Sequence, residues 1–204
     1  MKYLKWDSEF FGIDSYLYEN DDLDNLPNGF ITAKIDSNNY ELVYKLQNYG
    51  FKYINTEVIL GAKKDNFDFL YKVETLKDNL PINIGNVFYY SRFHLDPNTK
   101  NKANLLWTEY VKNFKVNDKN KAFGIKKDNK IVGLILTKRN NLFFVAVDKN
   151  YQFQKIGSNL VNFAKNYFGN VNVGTQINNP ALFFYQKNGF KILKSNIILH
   201  RWKV

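Results

Sequence analysis

The tightest constraint on the fold of this chain is an apolar run, a short polar turn and an amphipathic segment that follow one another without a break. Leu142-Phe143-Phe144-Val145-Ala146-Val147 is short, aromatic and β-branched, which predicts a buried strand. Tyr151-Gln152-Phe153-Gln154-Lys155-Ile156-Gly157-Ser158 then forms the turn. Beyond it Ile156, Leu160, Phe163, Ala164, Tyr167 and Phe168 recur at helical spacing and put one apolar face on a helix. A strand feeding a helix through a tight turn leaves a row of unpaired backbone N–H groups at the positive end of a helix dipole. Phosphate is the ligand such a row suits.

The rest of the chain alternates in the same manner. Residues 2–6 and 13–19 read as short strands around Asp7–Gly12, and Gly29–Ile35 as a third. Asn38 or Asn39 caps a helix that ends at Gly50, and 51–62 reads as a strand. Residues 63–84 carry charges, Asp and Pro81 with weak periodicity and read as a connection, and 85–93 as helical or irregular. A helix is expected over 99–114, then strands 122–127 and 131–138 joined by an Asp128-Asn129 hairpin turn. Strand 142–148, helix 156–168, strand 171–176, helix 180–187 and strand 190–201 complete the order. The fold class is therefore α+β, a mixed twisted sheet flanked by helices. The expected divisions are a smaller N-terminal α/β lobe over 1–63, a connection over 64–84, and a second unit over 85–204.

Composition narrows the function. There is no cysteine, which excludes disulfides and thiol catalysis, and the two histidines, His94 and His200, stand apart, so no metal site is expected. No run approaches 18 apolar residues and the N-terminus lacks a leader-like apolar stretch; neither membrane insertion nor export is expected, and the expected compartment is the cytoplasm. The net charge of +10 invites nucleic acid, but the lysines are scattered through turns and no nucleic-acid motif accompanies them; attraction to phosphorylated small molecules explains the sign equally well, and so does a bias toward Lys, Asn, Ile and Phe throughout the chain.

The turn, together with Asn178, Ala181, Tyr185, Gly189 and Phe190 further on, resembles the acetyl-CoA site of the GNAT superfamily of N-acetyltransferases. There the turn reads Gln/Arg-x-x-Gly-x-Gly/Ala. Gln152 matches its first position and Gly157 its last, while Lys155 replaces the middle glycine. A side chain at that position conflicts with a positive φ, yet it offers a cation to the same phosphates. The resemblance implies the GNAT fold, with 85–204 as the acetyl-CoA-binding catalytic domain. It implies a donor site made by Val145, Ala146, Val147, Gln152, Phe153, Gln154, Lys155, Ile156, Gly157, Ser158, Asn178 and Phe184. In it, strand 142–148 splays from its neighbour and offers amides near Val145 and Val147. Asn178 binds the pantetheine or caps the following helix, and Tyr185 is the acid that protonates the departing thiolate. The strand 142–148 carries no Glu, so the general base stays unassigned.

Three further segments are similar to TDP-fucosamine N-acetyltransferases: Trp6-Asp7-Ser8-Glu9-Phe10-Phe11-Gly12, Ser91-Arg92-Phe93 and Thr175-Gln176-Ile177-Asn178-Asn179. The last leaves the family Asn on either Asn178 or Asn179. This likeness implies a nucleotide-linked amino-dideoxy sugar as acceptor and an often dimeric assembly. Arg92 would pair with the diphosphate, and Phe93 and Phe11 would line the acceptor site. The alternatives are another small amine or peptide N-terminus as acceptor, or a non-catalytic acyl-CoA-binding module.

Overall fold

The computed structural model describes residues 1–77, 80 and 88–203. One ten-stranded mixed sheet runs through it in the order β1-β2-β3-β10-β4-β9-β8-β7-β6-β5. Its strands are β1 (Lys2–Tyr3), β2 (Ser15–Leu17), β3 (Gly29–Asp36), β4 (Lys52–Lys63), β5 (Glu74–Leu76), β6 (Asn120–Lys127), β7 (Lys130–Lys138), β8 (Asn141–Val147), β9 (Asn170–Gln176) and β10 (Lys191–Lys203). The helices are α1 (Lys5–Phe11), α2 (Tyr40–Asn48), α3 (Arg92–Leu95), α4 (Ala103–Lys112), α5 (Ile156–Phe168) and α6 (Ala181–Lys187).

The last strand carries the topology. β10 lies between β3 and β4 and is antiparallel to both, so the C-terminus is threaded through the N-terminal block. β4 in turn pairs with β9 along seven residues. One continuous sheet thus crosses from the N-terminal residues to the C-terminal unit.

Strand alternation sorts the two faces. Ile31, Ala33 and Ile35 of β3 and Leu199 of β10 pack with α2 through Leu46. On the same side Val58 and Leu60 of β4 and Val171 and Val173 of β9 meet α5 and α6 through Ile156, Leu160, Ala164, Leu182 and Tyr185. The opposite face carries Phe30 and Trp202, covered by α1, α3 and α4 through Trp6, Phe10, Phe11, Phe93 and Leu106.

Most expected elements form near their expected bounds. The Asp128-Asn129 hairpin turn takes φ of 49° and 60°, the left-handed pair that a two-residue turn requires. Asn39, not Asn38, caps α2, accepting from the Leu42 amide at 3.2 Å. Three expectations are corrected. Residues 5–11 are a helix rather than strand and turn. Trp6 and Phe10 share a helical face and stack on each other, Trp6 also stacks on Tyr110, and Gly12 closes the helix at φ 72°. Tertiary stacking decides there what aromatic-rich sequence leaves open. Residues 74–76, within the expected connection, add an edge strand antiparallel to β6. The 99–114 helix begins at Ala103, because the Thr99 hydroxyl turns back to the Phe93 carbonyl at 2.8 Å and holds 96–102 as turns. The expected helical or irregular stretch 85–93 lies partly outside the described residues.

Candidate active site

β8 and β9 are parallel neighbours for two residues only, Asn141 opposite Asn172 and Leu142 opposite Val173. The cause lies on the other edge of β8. There Leu136 of β7 pairs with Phe144 and Thr137 with Leu142, so Phe143 is an extra residue in the ladder. A bulge bends and twists its strand. From Phe143 onward β8 leaves β9, and a wedge opens between Val145–Val147 on one side and Gly174–Gln176 on the other. Alternate amides and carbonyls along both edges have no ladder partner, a requirement ordinarily met by a ligand or water.

At the wide end of the wedge the chain passes through a 3₁₀ turn, Lys149–Tyr151, into the segment before α5. Phe153 and Lys155 both adopt the left-handed conformation, at φ 62° and 61°. The position of the middle glycine does require positive φ, and Lys155 accepts the strain, on the order of 1–2 kcal/mol for an L residue. Among the described residues no backbone or side-chain group accepts from the amides of 152–158. These amides and the open end of a 13-residue helix form a concave donor surface for an anion.

The flanks of the turn are tied down by polar groups, two of them fully buried on α5. Asn159, fully buried on α5, accepts from the Leu70 and Tyr71 amides at 2.8 and 3.2 Å and donates to the Lys155 carbonyl at 2.9 Å. The Tyr71 hydroxyl donates to the Gln154 carbonyl at 3.0 Å, and Lys127 reaches the Gln154 side chain at 2.8 Å. Farther along, buried Lys165 binds Asp65 at 2.6 Å and the Asn188 carbonyl at 2.9 Å. Residues 65–71 are therefore strapped along α5 up to the turn. The signal was a polar stripe at Asn159, Asn162 and Lys165, which reads as a solvated face until a chain segment covers it.

The other expected donor-site residues separate into side chains and amides. Gly157 lies under α6: a Cβ there would come within 3.2 Å of the Phe184 ring. Gln152 donates to the Val147 carbonyl at 3.3 Å, linking turn to wedge. Ile156 and Ala146 bury their side chains in the core, so only their backbone is available to a ligand. Phe153 is fully exposed. Asn178 and Asn179 take different duties. Asn179 accepts from the Ala181 amide at 2.9 Å and closes the start of α6, while Asn178 accepts from buried Asn55 at 3.0 Å. The capping role expected of Asn178 belongs to Asn179.

Tyr185 is buried against Phe184 and Phe190, at ring distances of 5.2 and 5.3 Å. Burial pushes its phenol well above the ordinary tyrosine value of about 10, so it stays protonated at any working pH.

On the opposite face three distant segments converge. Phe11 of α1 lies 5.6 Å from the Phe93 ring, and the Arg92 guanidinium stacks 4.5 Å over that ring. Among the described residues, Arg92 Nε is buried without a partner. Burial raises the Asp7 carboxyl, against the lowering pull of Arg92 and of a 3.3 Å hydrogen bond from Tyr110. His200 donates or shares a proton with Asp96 at 2.6 Å, and Trp202 donates to the same oxygen at 2.9 Å; among the described residues, the buried His200 Nε2 has no partner. Burial holds His200 below the ordinary histidine value, Arg92 adds to that, and Asp96 opposes it. Among the described residues no group of three potential ligands is assembled as a metal site, and no helix is long and apolar enough to cross a membrane.

Comparison with known proteins agrees with this geometry. Residues 118–192 match the family model for the acetyltransferase (GNAT) domain. No curated protein matches the chain in sequence. A functionally unknown conserved protein from Staphylococcus epidermidis superposes with TM-score 0.61 at 14% identity, over 86% of this chain and 73% of that one. A tandem GNAT protein from the clavulanic acid biosynthesis pathway gives 0.55 at 13% identity, over 84% and 63%. A GCN5-related N-acetyltransferase from Sphaerobacter thermophilus gives 0.52 at 10%, over 84% and 59%. The chain thus spans about three-fifths of the length of the latter two. The fold is the GNAT fold, and residues 118–192 carry its acetyltransferase domain.

Proposed function

We propose that the protein transfers the acetyl group of acetyl-CoA to the amino group of a nucleotide-linked amino-dideoxy sugar. The observation that carries the donor half is the wedge between β8 and β9, opening onto a turn whose amides have no acceptor. The turn amides of 152–158 and the Lys155 cation would hold the diphosphate, Asn178 and the free edge near Val145 and Val147 the pantetheine amides. Tyr185 keeps a proton available for the leaving thiolate. Residues 85–204 would supply this donor half and residues 1–63 much of the acceptor half, with 64–84 as the connection.

The acceptor assignment is supported by the convergence on one face of the sheet of Phe11 with the pair Arg92-Phe93, about 80 positions further along the sequence. An arginine whose buried Nε has no partner among the described residues suits a diphosphate, and aromatic rings suit a sugar or base. The test is acetyl-CoA turnover against a panel holding TDP-fucosamine, glucosamine, a polyamine and a peptide N-terminus, with mass detection of the product. Preferred turnover of the polyamine or peptide would move the acceptor to another class. Tight binding of acetyl-CoA with no turnover of any amine would leave an acyl-CoA-binding module.

A further inference from the structure

β8 contributes no carboxylate to the wedge, so the incoming amine has no charge partner on the strand that bounds it. One arrives from two strands away. Leu142–Val173 is the last β8–β9 pair, which makes Gly174 the first β9 residue past the point of parting. Gly174 pairs on its other edge with Ile59 of β4, and Glu57 stands opposite Gln176. A Cβ on Gly174 would come within 3.4 Å of Glu57 Oε1, so the carboxylate of Glu57 lies over this glycine, at the apex of the wedge. Val58 and Leu60 point into the core beneath α5 and α6. Glu57 therefore projects from the other face, the one covered by α1, α3 and α4. The phosphate-binding turn and Glu57 are on opposite sides of the sheet, with the wedge between them.

The surroundings of Glu57 fix its protonation. Lys34 Nζ lies 3.0 and 3.3 Å from its two oxygens, and Asn196 donates to Oε2 at 3.3 Å. Burial pushes the carboxyl upward, but the Lys34 charge, these hydrogen bonds and the Arg92 charge outweigh it and hold Glu57 below the ordinary glutamate value. Such a carboxylate has little affinity for a proton and a strong one for an ammonium group, as its contact with Lys34 displays.

We propose that Glu57 binds the amino group of the acceptor at the apex of the wedge, steadying the positive charge on its nitrogen before and during attack. This rests on the acetyltransferase reading above. The amine enters as an ammonium and gives one proton to solvent. Its lone pair then forms the C–N bond and the nitrogen becomes positive again beside Glu57. The C–S bond breaks, the thiolate takes one proton, and the amide nitrogen gives one up. The balance is ammonium plus thioester to amide, thiol and one proton released. Glu57 takes no proton in this sequence, which separates it from a general base.

The test uses the full chain and compares E57Q, K34M and wild type, by acetyl-CoA calorimetry and by steady-state kinetics with TDP-fucosamine, or with the amine of the panel that wild type acetylates fastest. The expected result is unchanged acetyl-CoA affinity in all three and, for E57Q, a KM for the amine raised by about 10- to 100-fold, the range for losing a charged hydrogen-bond partner. K34M should keep its acceptor kinetics within about threefold of wild type, the scale of a partly exposed ion pair. If Glu57 serves only to staple β3 to β4 through Lys34, K34M and E57Q will behave alike, and that overturns the proposal. So does an E57Q enzyme with the wild-type KM. Wild type that acetylates no amine overturns the acetyltransferase reading itself, which is a separate outcome.

Discussion

On the proposed function, the two sides of the sheet meet different recognition problems. On the α5 side the site is made of backbone: turn amides, an open helix end and the free edges of two diverging strands, all within residues 141–185. On the other side the proposed acceptor site is made of side chains from α1, α3, α4 and β4, namely Asp7, Glu57, Arg92 and Tyr110, brought together from more than a hundred positions of sequence. Backbone groups suit what every ligand of a class shares, in the proposed donor a diphosphate and an amide chain. Side chains read what differs between ligands. A cleft of the first kind tolerates much sequence change, which fits structural neighbours with this fold at 10–14% identity.

Four measurements bear on that contrast. The largest effect is expected at Tyr185. Tyr185→Phe keeps the ring packing with Phe184 and Phe190 and deletes the hydroxyl. If the hydroxyl protonates the thiolate, kcat should fall by roughly 10²–10⁴-fold with KM for acetyl-CoA and the thermal melt nearly unchanged. Turnover within about threefold of wild type, far inside the general-acid range, would make Tyr185 a core residue only.

Gly157→Val comes next. Its branched side chain would meet the Phe184 ring, which a single Cβ already approaches to 3.2 Å, and would push α6 across the turn. Acetyl-CoA affinity measured by calorimetry should weaken by about tenfold or more, about 1.4 kcal/mol. Retained affinity would show that the donor side does not depend on the α5–α6 contact.

Lys155→Gly should act in two directions at once. Removing the side chain from φ 61° relieves strain and should stabilise the fold by about 1 kcal/mol in chemical denaturation. Removing the cation should weaken acetyl-CoA binding and flatten its salt dependence. A variant that gains stability with undiminished affinity would leave the turn amides as the only phosphate ligands.

The smallest effect concerns the far side. His200 has a folded-state value below its unfolded one, so below about pH 6.5, the reference histidine value, the unfolded chain binds a proton that the folded chain refuses. His200 therefore contributes stability above that value, lost as pH falls toward the folded one. Asp96, held low by His200, Asn98 and Trp202 against its own burial, loses its contribution only at lower pH still. Thermal melts should decline from pH 7 to 5 in wild type and decline less in His200→Gln. Equal slopes would place the pH sensitivity elsewhere.

The legibility of the chain follows the same divide. The strand-turn-helix at 142–168 was readable because its apolar periods and turn residues are local, and the amides it exposes need no distant partner. The order of elements from 122 to 201 was readable for the same reason. Asn178 and Asn179 were not separable, because only the register of β9 against β4 decides which one faces Asn55 and which closes α6. Helix α1 was missed because Trp6 and Phe10 fit a strand as well as a helix until Tyr110 stacks on Trp6. The strap over Asn159 and Lys165 went unread because residues 65–71, which form it, have no periodicity of their own.

What the sequence determined by itself was the order of local elements from 122 to 201 and the strand, turn and helix at 142–168. Those depend on neighbours a few positions apart, where steric preference and apolar spacing act directly. Only the tertiary structure decided that β10 enters between β3 and β4 and that β4 lies against β9. That pairing sets Glu57 over Gly174 at the parting of β8 and β9. Strand partners are chosen by burial of whole faces, a property of the assembled sheet that no single segment encodes.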